Sequence, residues 1–181
     1  MRRMLVALAG LAALSACEQE SSVVRAIQKQ ETAEMATASD FMAQARAKPG
    51  VQVTASGLAY EIVTPSADQS LPVPTADSVV LAHYEGTLPD GQVFDSSFSR
   101  GQPAEFPLSR VIPGWTEGLQ HVRPGDEVIF YIPPELGYGP AGSPPRIPPN
   151  SALKFRIQLL AVAFPDGRIV YAPGLSPEGG N

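Results

Sequence analysis

The two longest apolar strand candidates of the chain, EVIFYI (127–132) and ALKFRIQLLAV (152–162), flank a segment that cannot be regular structure. That segment, GYGPAGSPPRIPPN (137–150), holds five prolines in fourteen positions. Proline fixes φ and removes a backbone donor, so neither a helix nor a central strand can run through it. Such density ordinarily marks a linker or an extended polyproline stretch. A compact domain that sets one between two core strands must have a use for it. With 19 prolines and 16 glycines in 181 residues, a sheet-rich, loop-rich fold is favoured over a helical bundle.

The remaining pattern is consistent with a sheet. VQVT (51–54) and LAYEIV (58–63) alternate as strands do, and SVVLAHYEGTL (78–88) is a strong strand candidate. LPDGQ is a turn, with Pro89 presetting φ and Gly91 free to take positive φ. VFDSS follows, and PAEFPL is a short extended piece that Pro107 confines to an edge or bulge. PGWTEGLQHV (113–122) is the one clear helix after residue 50, with Trp115, Leu119 and Val122 on one face. The expected fold is α+β: an antiparallel curved sheet of five or six strands around that helix, with Trp115 in the concavity. RIVYA, after a second Pro-Asp-Gly turn, offers an extra edge strand within a C-terminal extension (164–181), whose end is expected to be mobile.

The N-terminus reads differently. Arg2 and Arg3 precede an apolar run from Met4 to Leu14 and then small residues, the layout of a secretory signal peptide over 1–16. The run is shorter than the roughly 20 residues a spanning helix needs. Leu14-Ser15-Ala16-Cys17 resembles a bacterial lipobox, which implies lipidation of Cys17, the only cysteine, and a membrane anchor through acyl chains. Glu18, rather than an aspartate, points to the outer membrane, so the expected location is the cell envelope, facing the periplasm. Residues 17–50 are expected to form a tether with weak helix, including a short helix from Phe41 to Lys48 capped at Ser39-Asp40; a dimerising helix is the alternative. Removing the leader takes away two of 13 basic residues and leaves 11 against 18 acidic, a formal charge of −7. An acidic chain without a basic stripe argues against a nucleic-acid partner.

Familiar catalytic equipment is absent from the sequence. His83 and His121 have no second ligand at metal spacing, and no P-loop, dinucleotide fingerprint or nucleophile elbow is present. No metal and no cofactor is expected. Asp95, Glu105, Glu117, Asp126 and Glu127 are scattered, which leaves a hydrolase poorly supported. An aromatic set stands out: Tyr84, Phe94, Phe106, Trp115, Tyr138 and Phe155. By itself such a set is more often core than site.

The order of the pieces resembles the FKBP family of peptidyl-prolyl cis–trans isomerases from about Val51 to Val162. AHYEGTLPDGQVFDSS, VIPGWTEGLQ, RPGDE, ELGYG and IPPNSALKFRIQLL carry the resemblance together, and FMAQARAKPGVQVTASGLAYEIV resembles the lead-in of exported bacterial members. It implies an isomerase domain over 51–163 acting on proline-containing polypeptides, with macrolides as further ligands. It further implies catalytic roles for Tyr84, Asp95, Ile112 and Tyr138, with the Ile112 N–H donating to a ligand carbonyl. Phe94, Arg100, Phe106, Val111, Trp115, Ile147 and Phe155 are implied as the substrate-binding surface, Arg100 pairing with Asp95. Asp95 would either bias the field at the twisting carbonyl or serve as a structural ion pair. The rim departs from the family at Ala104, Ser143 and Arg146, positions that bear on sequence preference around the proline. Two other functions stand beside the isomerase: an FKBP-fold chaperone or binding module with little catalysis, and a proline-rich ligand formed by residues 140–149. On the family reading, GYGPAGSPPRIPPN is a stiff loop over a proline-binding pocket.

Overall fold

The computed structural model describes residues 12–175, which form one long helix and an eight-stranded antiparallel sheet carrying two short helices. Helix α1 (Ala12–Arg46) is followed by strands β1 (Gln52–Val53), β2 (Ala59–Thr64), β3 (Val79–Thr87) and β4 (Val93–Ser96). Helix α2 (Ser97–Arg100), β5 (Ala104–Pro107), helix α3 (Pro113–Leu119), β6 (Glu127–Ile132), β7 (Leu153–Ala163) and β8 (Ile169–Tyr171) complete the chain. The order across the sheet is β1-β2-β6-β7-β3-β4. The long strand β3 takes both β4 and β5 along one edge, and β7 takes both β6 and β8. That sharing raises the number of strands to eight, beyond the five or six expected from the runs alone.

Alternation along the strands separates two cores. Val128, Phe130 and Ile132 of β6 belong to the main core with Trp115, Leu119 and Val122, which are buried together as the helical spacing requires. Ile129 and Tyr131, on the opposite face, belong to a second core with Ala38, Met42 and Ala45 of α1. Helix α3 lies close on β6 because Gly114 and Gly118 face it. A Cβ at Gly118 would stand 2.7 Å from Phe130 Cζ.

Helix α1 corrects the expectation of a short helix beginning at Phe41. Residues 12–46 contain neither glycine nor proline and are rich in alanine, glutamine and glutamate, so nothing interrupts the helix at Ser39-Asp40. Residues 38–46, assigned to the tether by sequence, pack on the sheet. Lys48 Nζ donates to the Tyr131 hydroxyl at 2.8 Å, which in turn donates to Glu61 at 2.8 Å. Arg46 Nη2 donates to the Gly57 carbonyl at 2.8 Å. Among the described residues no helix is long and apolar enough to cross a membrane. Residues 1–11 of the expected leader, the Cys17 side chain and the tail of residues 176–181 lie outside the described residues.

Candidate functional site

Strands β3, β4, β5 and β7 and helix α3 converge on a cavity of about 500 Å³, a size suited to a small ligand or a few residues of peptide. Trp115, 4% exposed, comes from α3 and forms its floor. The indole sits edge-to-face against Tyr84 at 5.6 Å, Phe106 at 5.1 Å and Phe155 at 5.2 Å between ring centres. Phe94 meets Phe155 the same way at 5.5 Å. Each such pair contributes about 0.5–1.5 kcal/mol beyond area burial and fixes ring orientation. Phe94 comes this close to β3 because Gly86 lies beneath it; a methyl there would fall 2.6 Å from Phe94 Cε2.

One wall carries a polar triangle. Tyr84 donates its hydroxyl to Asp95 Oδ2 at 2.5 Å, Arg100 Nη1 donates to Asp95 Oδ1 at 2.5 Å, and Arg100 Nη2 donates to the Tyr84 hydroxyl at 2.8 Å. Helix α2 makes this possible. Ser96 caps it by accepting from the Ser99 N–H at 3.3 Å, and Gly101 ends it at φ 71°, turning Arg100 back over Asp95. Burial pushes the Asp95 carboxyl up, but the hydrogen bonds from Tyr84 and Arg100 and the guanidinium charge outweigh it and hold the group below its ordinary value. The Tyr84 hydroxyl is pushed up by burial first and by its bond to Asp95 second. Ser97 anchors the backbone behind the ring: its buried hydroxyl accepts from the Tyr84 N–H at 2.7 Å and donates to the Tyr84 carbonyl at 3.2 Å. His83 lies beside it, with Nδ1 3.2 Å from the Ser97 hydroxyl and its ring stacked on Phe98 at 5.0 Å.

The opposite side is built by loops. Val111 and Ile112 precede α3 and line the cavity. The Ile112 carbonyl accepts from the N–H groups of Trp115 and Thr116, at 2.9 and 3.2 Å. Its own N–H has no partner among the described residues. The buried Nε1 of Trp115 also lacks one, as does the hydroxyl of Tyr138. Burial pushes that hydroxyl up and the Asp95 charge adds to the effect, so it remains a donor at neutral pH. The proline-rich segment closes on itself over the cavity. The Ser143 N–H donates to the Ile147 carbonyl at 2.8 Å, Ile147 returns the bond at 3.0 Å, and Asn150 N–H donates to Gly139 at 3.0 Å. Ile147 is thereby buried and reaches the lining.

Of the eleven catalytic and substrate-binding residues expected from sequence, ten line the cavity; Arg100 stands behind Asp95 and Tyr84 without lining it. Arg110, Ser143 and Arg146 line it too. Arg110 and the anchoring Ser97 escape sequence reading, because an arginine in a loop and the second serine of VFDSS carry no pattern of their own.

An antiparallel sheet curved around one short helix, with an aromatic cavity floored by the helix tryptophan, is the architecture of FKBP-type isomerases. The chain belongs to that family: residues 72–160 match the family model described as FKBP-type peptidyl-prolyl cis-trans isomerase, and residues 7–62 match the domain amino terminal to it. The crystal structure of FkpA from Escherichia coli superposes with a TM-score of 0.70 at 33% identity, covering 92% of this chain and 75% of that one. A peptidyl-prolyl cis-trans isomerase from Pseudomonas syringae superposes with a TM-score of 0.67 at 39% identity, covering 72% of this chain and 94% of that one. A probable FKBP-type isomerase FkpA of Neisseria meningitidis is 41% identical over 160 residues, 88% of this chain and 56% of the relative. The isomerase Mip of Coxiella burnetii is 46% identical over 122 residues, 67% of this chain and 52% of the relative. The chain spans about half the length of these curated relatives.

Proposed function

We propose that the protein accelerates cis–trans rotation about X–Pro bonds in proline-containing polypeptides. The observation that carries this reading is the set of unpaired donors, Ile112 N–H, Trp115 Nε1 and Tyr138 hydroxyl, around an aromatic floor. Rotation about an X–Pro amide is slow because resonance is lost on twisting, with a barrier of about 18–20 kcal/mol. No covalent bond to the substrate has to form. The twisted amide has a less polar oxygen and a more pyramidal nitrogen, so a desolvated aromatic cradle favours it over the planar ground state. The Ile112 N–H and the Tyr138 hydroxyl hold the flanking carbonyls in a turn, and the Asp95–Arg100 pair fixes the field beside them. An acceleration of about 10⁶-fold asks roughly 8 kcal/mol of these effects.

Following cis-to-trans decay in an X–Pro peptide series tests the reading. Decay well above the uncatalysed rate is expected for at least one X, and Trp115→Ala should abolish it. A rate equal to the uncatalysed one for every X leaves the second reading, a chaperone or binding module, which the departures at Ala104, Ser143 and Arg146 favour. Macrolides would compete for the same cavity. The leader of residues 1–16 and lipidation of Cys17 would place the domain on the cell envelope, outer membrane favoured, facing the periplasm. This rests on the sequence of the N-terminus, and loss of fatty-acid labelling in Cys17→Ser tests it.

A further inference from the structure

The cavity differs in charge from the molecule around it. The chain carries a formal charge of −5. Three ionisable side chains of certain sign line the cavity: Asp95, Arg110 and Arg146. Asp95 is already satisfied, one oxygen by Tyr84 and the other by Arg100, and the Arg100 guanidinium offsets its charge. Arg110 and Arg146 are exposed, and neither guanidinium forms an ion pair, hydrogen bond or ring contact among the described residues. They come from different elements. Arg110 ends the short turn leading to Val111 and Ile112, two residues before the unpaired Ile112 N–H. Arg146 precedes the buried Ile147 in the proline-rich loop, and the loop's own backbone bonds fix its position. The cavity therefore offers two uncompensated cations beside unpaired N–H and O–H donors, and the charge of its one carboxylate is already paired with Arg100.

We propose that Arg110 and Arg146 set substrate preference, selecting X–Pro segments with an acidic residue, glutamate or aspartate, next to the prolyl bond. The inference rests on the isomerase reading and names the substrate class of the same site. A carboxylate beside the proline gains from both guanidiniums, and a lysine there meets them with like charge. Both cations are solvent-exposed, so the preference is moderate and salt-sensitive.

The test compares short peptides with glutamate, glutamine or lysine before the proline, and a second set with these residues after it. The ratio of kcat/KM for the glutamate over the glutamine peptide is read in wild type, Arg110→Gln, Arg146→Gln and the double variant, at low and high salt. For at least one set, a wild-type ratio of about two- to tenfold at low salt is expected, falling toward one at high salt and in the double variant. A ratio at or below one in both sets, or one that persists in the folded double variant, overturns the proposal. Charge reversal with Arg146→Glu should favour the lysine peptide, and no change in order would count equally against it. If no peptide is turned over, the isomerase reading fails. The Kd ratio of the same peptides, by fluorescence anisotropy, then decides the charge preference on the same terms.

Discussion

Gly86 sits at the point where β3 passes beneath the cavity wall, and no residue with a side chain can take its place without moving Phe94. A methyl added there would lie 2.6 Å from Phe94 Cε2 and 2.8 Å from Phe155 Cε1. Gly86→Ala should push Phe94 toward the cavity, costing about 1–3 kcal/mol of stability. Peptide affinity should fall about tenfold, equivalent to about 1.4 kcal/mol. Thermal melting and a binding titration check both figures. Asp95 makes a prediction about pH. Its folded pKa is lowered from the ordinary 3.8, so its contribution to stability is fully present above that value and is lost as pH falls through the folded one. Asp95→Asn should therefore melt below wild type near about pH 7, with the gap closing toward about pH 2. A gap constant across that range would assign the effect to shape instead of charge.

Among the elements, α1 and α2 were the least legible in the sequence, for opposite reasons. The four residues of α2 have no periodicity to read; only the Ser96 cap and the left-handed Gly101 define it. The apolar stripe of α1 is thin because, among the described residues, two of the three it buries against the sheet are alanines, Ala38 and Ala45. Small residues contribute little hydrophobic signal, yet they let the helix lie close to Ala59 and Ala152. Met42, 3% exposed, is the large member of that contact. Met42→Ala should cost about 2–5 kcal/mol, measured by denaturant unfolding. A value near zero would mean that the helix contributes nothing to the domain. The strands β3, β6 and β7 were legible because alternation and apolar length both mark them. The pairing of Arg100 with Asp95 became readable only through the family resemblance. Ser97 beneath Tyr84 depends on a tertiary contact that one sequence does not announce.

Across the whole molecule, the closure of residues 137–150 has a kinetic consequence. Backbone bonds between Ser143 and Ile147, and between Asn150 and Gly139, complete the roof within the protein itself. Gly142 makes the path possible: its φ is 61°, and a Cβ there would meet the Ile147 carbonyl oxygen at 2.5 Å. The conformational entropy of the roof is thus lost during folding and not again at each encounter. On the proposed isomerase function, short peptides and long unfolded chains would then meet a surface already in its final shape. Stopped-flow association should be a single exponential whose rate rises linearly with peptide concentration, with no plateau set by loop closure. A plateau would show that the roof rearranges after contact. In its absence, the traffic of the proposed substrates through the cavity would be governed by how fast they arrive and how fast they leave.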